Sequence, residues 1–259
     1  MKTTIKEIYA YREMIFSMVR RDLRGRYKGS VLGFLWTFIN PLLQLAVYTM
    51  VFSMIMRSDI EKYYLHLFVA LIPWIFFASC LTSGAVSVLG EKNLVTKIYF
   101  PREVLPIAYT TSSFVNMLYC FVVVLAVVLI SGIKFNPLAW LCLPIIMIVE
   151  YIMALGVAFL ASSITVFFRD LQHILGIVAM AWQFLTPILY SIDIVPENMM
   201  PIFMLNPMTP IIIAYRDILY FGRVPELFTL LHALLFGVII LSTGFMMFGQ
   251  LKKRFAEEL

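Results

Sequence analysis

Glu150 is the one acid set deep inside an apolar run, IIMIVEYIMAL at 145–155. A carboxyl group in such surroundings has two uses: a contact or switch along a transport path, or a structural hydrogen bond. Other reactive groups are dispersed. His66, His173 and His232 fall in separate segments, and Cys80, Cys120 and Cys142 lie in apolar stretches with no CxxC pair or neighbouring histidine. The cysteines read as small buried hydrophobes, and no metal site is expected. HExxH, GxSxG and P-loop patterns are missing, so the chain is not expected to be an enzyme or to hold a cofactor. It also lacks the row of acids that proton- or sodium-coupled transport would use. Energy for any transport must then come from outside this polypeptide.

The cations are less dispersed. Arg20, Arg21, Arg24, Arg26 and Lys28 stand together against one acid, Asp22, and the chain from Gly29 to Met56 then carries no charge. Such a block in front of an apolar run pins its N-terminal end to the cytoplasm. Arg24, Arg26 and Lys28 are also candidates for attracting a diphosphate at the inner head-group level, beside the plainer reading that they set topology alone. Among 22 Phe, 13 Tyr and 4 Trp, most belong to lipid-facing or interfacial positions. Trp36, Tyr48, Trp182 and Tyr190 sit near polar or bent parts of apolar runs. They are the candidates for lining a sugar path, since aromatic faces pack against the apolar faces of pyranose rings.

The elements that must position these groups are membrane helices. Hydrophobic residues make up 62% of the 259 and charged residues 14%, far below the roughly 25% charged of soluble domains. The net charge of +5 does not suggest nucleic acid, because the cations cluster at the ends of apolar runs. Charges delimit six expected spans, 32–56, 63–90, 104–133, 138–168, 171–192 and 227–249. Lys and Arg divide 15 to 5 between the two sets of loops, the richer set being the arm before Gly29, the 91–103 loop, the 169–170 turn and the tail. The expected fold is therefore all-α and integral to the membrane, a single domain with both termini in the cytoplasm. No cleaved signal peptide is expected, because residues 1–28 lack an apolar core.

Three pieces do not span. Residues 4–19 read as an amphipathic helix capped by a Thr4–Glu7 box, with Ile5, Ile8, Ile15 and Val19 near one face. It lies either along the cytoplasmic membrane surface or against its own protein. The 91–103 loop has room for one or two helical turns. The 193–226 piece is apolar but cut by Pro196, Pro201, Pro207, Pro210 and Pro225, and reads as short re-entrant helices on the outer side. Small residues at every fourth position (Ser79, Ser83, Ser87; Ala154, Ala158, Ser162) predict close helix packing, within the bundle or at a dimer seam. Pro41 and Pro187 predict bends.

Five strings, in order, resemble the polysaccharide-exporting ABC-2 permeases, the membrane subunits of O-antigen, teichoic acid and capsule transporters. They are RYKGSVLGFLWTFINPLL at 26–43, KIYFPREVLP at 97–106, FFRD at 167–170, FLTPILY at 184–190 and LNPMTP at 205–210. The resemblance implies a bacterial inner-membrane homodimer paired with two ABC ATP-binding subunits, which would bind the ATP and magnesium. It implies a lipid-linked glycan substrate, usually undecaprenyl-diphosphate-linked. Residues 1–28 would be the cytoplasmic arm and 193–226 the outer gate. Glu91, Lys92, Asn93, Leu94, Val95, Thr96, Lys97 and Ile98 would form a coupling helix seated on the ATPase. Two other readings stay open: an ABC-2 exporter of a drug or small lipid, and, more distantly, a membrane-embedded glycan-modifying enzyme.

Overall fold

A computed structural model describes residues 2–26, 28–57, 59–133 and 135–259, with the side chains of residues 2–5 excepted. Tyr27 and Lys134, which figure in the motifs and the charge division above, lie outside the described residues. Every regular element among those described is helical.

The chain opens with α1 (Lys2–Ala10) and α2 (Arg12–Gly25). The expected single helix over 4–19 is thus two helices meeting at Tyr11. Thr4 falls inside α1 rather than in front of it, so it does not occupy a cap position, and its side chain is outside the description. The first span runs Gly33–Ile55: a 3₁₀ turn, then α3 (Trp36–Thr49) with Pro41 inside it, then a π-helical turn over Met50–Ile55. The second is α4 (Tyr63–Thr82), continued by a 3₁₀ turn to Val86. A six-residue helix, α5 (Lys92–Lys97), fills part of the 91–103 loop. Then come α6 (Val104–Ile130) and α7 (Pro137–Phe167). The start of α7 is written into the sequence. Asn136 accepts from the backbone N–H groups of Leu138 and Ala139 at 3.1 and 3.4 Å, and Pro137 takes the first helical position, where no N–H is needed.

The fifth expected span differs most. Of 171–192, only α8 (Leu171–Leu185) is helical, about 22 Å of helix where a bilayer core needs about 30 Å. Pro187 ends this helix rather than bending it: Thr186 turns to φ −104°, ψ 137°. Two short helices follow, α9 (Met200–Leu205) and α10 (Met208–Leu219), then α11 (Leu227–Leu251) and a final turn, α12 (Phe255–Glu258). Among the described residues, five helices are long and apolar enough to cross a membrane.

The second span is the hub. Most of α4 is buried, and its partners are α3, α6, α7, α8 and α10. The first span is the least buried of the five, with only Thr37 and Pro41 buried. Packing is tightest between α7 and α11: a side-chain carbon added at Gly156 would stand 2.5 Å from the Leu241 nitrogen, and one at Gly244 would stand 2.4 Å from the Gly156 carbonyl. The serine and alanine stripes serve a second close approach within the bundle, where Gly84 leaves room for the Ala158 Cβ.

The loops sort into two ends. Lys252 pairs with Glu103 at 2.5 Å, Arg102 donates to the Lys252 carbonyl at 2.7 Å, Arg21 pairs with Glu91, and Arg169 donates to the Glu258 carbonyl at 3.4 Å. The arm, the 91–103 loop, the 169–170 turn and the tail therefore share one end, hereafter the basic end. At the other, Lys62 donates to the Ser131 carbonyl at 2.8 Å and Asn136 to that of Gly222 at 3.1 Å.

Gly156→Ala is expected to push α7 and α11 apart and to destabilise the bundle by about 1–3 kcal/mol, as overpacking does. Gly249→Ala on α11 meets open space and serves as the control. The measurement is thermal unfolding of the detergent-purified protein.

Candidate functional site

The interruption after α8 strips carbonyls of their helical partners in a region where water cannot replace them. Six of these carbonyls find a specific side-chain donor. Thr186 Oγ1 returns to the Trp182 carbonyl at 2.9 Å, Tyr190 Oη to that of Phe184 at 2.9 Å, and Asn206 Nδ2 to that of Leu185 at 3.2 Å. Tyr63 Oη donates to the Leu189 carbonyl at 2.7 Å. The largest share falls to Arg216 on α10, only 4% exposed: it donates to the carbonyls of Ile188 at 2.7 Å, Tyr190 at 3.2 Å and His66 at 3.5 Å. A planar guanidinium offers five donors in a fixed fork, which suits it to several carbonyls at once. Asn206 ties the same region to α8 from the other side, accepting from Trp182 Nε1 at 2.9 Å.

Glu150 is fully buried in α7 and accepts from the Tyr215 hydroxyl at 2.6 Å, with its other oxygen unpartnered among the described residues. It therefore holds α10 from behind while Arg216, the next residue, holds the broken segment in front. At the end of α10, Arg223 grips Asp217 at 2.7 Å. Burial raises the Asp217 carboxyl, and the Arg223 guanidinium pulls it back.

One of the aromatic candidates joins the polar side chains of spans one and five. Tyr48 Oη accepts from Gln44 Nε2 at 3.2 Å and from Gln183 Nε2 at 3.3 Å, linking α3 to α8. Trp182 packs edge-on against Phe77 at 5.1 Å, and Tyr190 packs against Phe203 at 6.4 Å. Trp36 is apart from them near the basic end, its Nε1 donating to Ser30 at 2.9 Å. Sequence reading overlooked the stripe that Tyr48 belongs to. Asn40, Gln44 and Tyr48 recur at every fourth position and share one face of α3, and Asn40 is exposed in the middle of an apolar span.

At the basic end, a cavity of about 870 Å³ opens between α2, the start of the first span and α6. Arg20, Arg24 and Lys28 line it together with Phe16, Phe34 and Tyr119. Arg26 is not among them. Its guanidinium donates to Asp22 at 3.0 Å, Ser113 at 3.0 Å and Ser112 at 3.2 Å, binding the arm to α6. The head-group candidates thus divide into Arg24 and Lys28 in the cavity and Arg26 in the scaffold, with Arg20 an addition. Nearby, α5 sets Val95 into the core beside α12, and Glu91 is paired with Arg21. Lys92, Asn93, Thr96 and Lys97 face outward, Leu94 is half-buried, and Ile98 and Tyr99 are exposed at 57% and 91%.

A broken apolar helix, an amphipathic arm and a short exposed helix between spans two and three are arranged here in one membrane bundle, and residues 13–220 match the family described as "ABC-2 type transporter". The chain belongs to that family. The O-antigen export system permease protein RfbA of Myxococcus xanthus is 34% identical to it over 98% of each chain, and that of Klebsiella pneumoniae 33% over 95% of each. The polysialic acid transport protein KpsM of Escherichia coli is 20% identical over 86% of this chain and 88% of its own. This ABC-2 protein is accordingly a multi-pass membrane permease, the transport part of an ABC system.

Arg216→Met is expected to orphan the Ile188 and Tyr190 carbonyls and to cost about 2–6 kcal/mol, at 1–3 kcal/mol for each buried acceptor left unmade. Arg216→Lys should recover only part of this, because one ammonium cannot reproduce the fork. Thermal unfolding of the purified variants reads both.

Proposed function

We propose that this permease exports a lipid-linked polysaccharide such as O-antigen across the bacterial cytoplasmic membrane, as a homodimer driven by two ABC ATP-binding subunits. The observation that carries this reading is likeness over nearly the whole chain to permeases named for O-antigen export. The basic end faces the cytoplasm, as the positive-inside rule requires. The sixth crossing is made by α8 together with the irregular segment after it. The short helices α9 and α10 are the re-entrant elements on the outer side.

The geometry supplies a role for each part. A diphosphate-bearing lipid meets the cavity of Arg20, Arg24 and Lys28, whose charge neutralises the head group while Phe16, Phe34 and Tyr119 cover its apolar surroundings. From there the stripe of Asn40, Gln44 and Tyr48, joined by Gln183, offers hydroxyl-rich sugar a polar face through the apolar zone. The first span, the least buried of the five, presents its exposed side chains, Asn40 among them, to a second copy of the chain. Closure of the ATPases is transmitted through α5, whose outward residues are free to seat in a partner's groove while Val95 ties the helix to the bundle.

Co-expression with the neighbouring ATPase gene should yield a complex that co-purifies, and deletion of the permease should remove the surface glycan. A missing complex together with unchanged surface glycan would overturn the reading. Ile98→Asp combined with Tyr99→Ala should abolish co-purification of the ATPase while leaving the thermal stability of the permease unchanged. Arg24→Ala with Lys28→Ala should remove roughly 2 kcal/mol of head-group attraction, about thirty-fold in occupancy. Surface glycan should fall accordingly while membrane insertion, read from membrane fractions, stays at the wild-type level.

A further inference from the structure

At the end opposite the arm, a second cavity of about 700 Å³ lies between the close of the first span, the loop before α4, the segment after the break and the end of α10. Its character is the reverse of the basic one. Asp59, Glu61 and Asp193 line it against a single cation, Arg57. None of the three carboxylates enters an ion pair among the described residues; Asp193 accepts a hydrogen bond from Ser191 at 2.6 Å.

Its apolar lining is half aromatic, with Phe52, Tyr190, Tyr220 and Phe221 beside four aliphatic residues. Two of these rings are held in place, because Tyr220 Oη donates to the Glu61 carbonyl at 2.5 Å and Tyr190 Oη to the Phe184 carbonyl. Phe221, half exposed, stands edge-on to Tyr220 at 4.9 Å. His66 closes the floor, 2% exposed, edge-on to Tyr220 at 5.2 Å, and its Nδ1 has no hydrogen-bond partner among the described residues. The segment carrying Tyr190 is the one Arg216 holds, so this wall is rigid although it is not helical.

The volume lies within the roughly 300–1,000 Å³ of small-ligand sites, and aromatic walls with a few placed polar groups are what such sites contain. Each ionised carboxylate accepts from two neighbouring hydroxyls, and charge-assisted bonds of this kind are the strong ones. A phosphate or a uronate, by contrast, brings like charge against three acids. The two cavities therefore divide an amphiphile between them: its anionic head group at the basic end, its uncharged sugars at the other.

We infer that this outer cavity is a sugar subsite, which takes a neutral, hydroxyl-rich pyranose unit of the exported glycan and rejects units bearing carboxylate or phosphate. The inference rests on the glycan-export reading above and adds to it the class of sugar.

The full-length protein in nanodiscs is titrated with neutral tetrasaccharides of mannose, galactose and glucose, and with a tetramer of sialic acid, observed by saturation-transfer NMR. At least one neutral probe should give ring-proton signals five-fold or more above the acidic probe. Phe221→Ala and the double variant Asp59→Asn with Asp193→Asn should each reduce those signals at least three-fold. The double variant should also raise the signal of the acidic probe. Equal signals from both probe classes, a preference for the acidic one, no neutral signal at all, or signals that vanish with a chelator of divalent cations would overturn the subsite. Where a variant fails to fold, the comparison of probes on the wild-type protein decides alone. Surface glycan in cells separates this inference from its premise. A deletion strain that loses its glycan and regains all of it with Phe221→Ala and the Asp59/Asp193 double variant overturns the subsite and leaves export standing. A deletion without effect on the glycan overturns the export reading, and the subsite with it.

Discussion

Inside a bilayer every backbone donor and acceptor must find its partner in the protein, and the stretch from Trp182 to Tyr190 is where that constraint shapes this fold. Pro187 cannot continue α8, and the carbonyls it frees cannot turn to water. Their donors come from far along the chain: Tyr63 on α4, Asn206 before α10, Arg216 on α10. Because Arg216 must reach the break, α10 must lie against the bundle. Because its charge is then buried, its donors need partners, and the carbonyls of His66, Tyr190 and Ile188 take one from each of its three nitrogens. Glu150 and Tyr215 complete the arrangement from the other face of the same short helix. A membrane protein built of unbroken helices would need none of these residues.

Charge is distributed along the molecule in the order in which a lipid-linked polymer presents its own. Cations line the cavity at the end with the arm, uncharged amides and a phenol follow along α3, and carboxylates rim the cavity at the far end. Each of these groups can offer hydrogen bonds or a field at a fixed depth. A gradient of this kind selects a cargo but does not move it. That agrees with the proposed exporter, in which transport energy would arrive from a separate protein through the exposed face of α5.

Much of this was legible in the sequence because charges are expensive in a bilayer and so mark where helices stop. The expected limits of spans three, four and six fall within a few residues of α6, α7 and α11. Local patterns served less well. Pro187 announces a disturbance, but whether a helix bends or ends depends on donors elsewhere, and nothing near Pro187 points to Arg216. In the sequence Arg216 is one of the five cations on the side poorer in Lys and Arg, and nothing in its local pattern marks it as buried. Arg26 resembled Arg24 and Lys28 in type and spacing, and only the serines of α6, more than eighty positions away, divert it. Thr4 satisfied a capping pattern that the helix does not use, since α1 begins before it. The Asn40–Gln44–Tyr48 stripe was readable from its spacing. It was obscured by the habit of treating an apolar run as uniform.

The same contacts bear on which part of the outer region moves in the proposed exporter. Nearly every residue of α10 is buried, with Met208, Ile211, Ile212, Ala214, Tyr215, Ile218 and Leu219 wholly so. Displacing it would break the Glu150–Tyr215 bond and strand the Arg216 charge together. It is therefore poorly suited to be a lid. The residues before it are different: Ile194, Met199, Ile202 and Leu205 are exposed, and most hydrogen bonds of 194–206 are short-range turns. Asn206 is the exception, joined to both Trp182 and Leu185. In the proposed exporter, motion confined to 191–205, hinged between the Arg216 clamp and Asn206, would open the outer end while the expensive buried charges stay where they are. The gate would then be the lightly packed half of the 193–226 piece, with α10 the post on which it hangs.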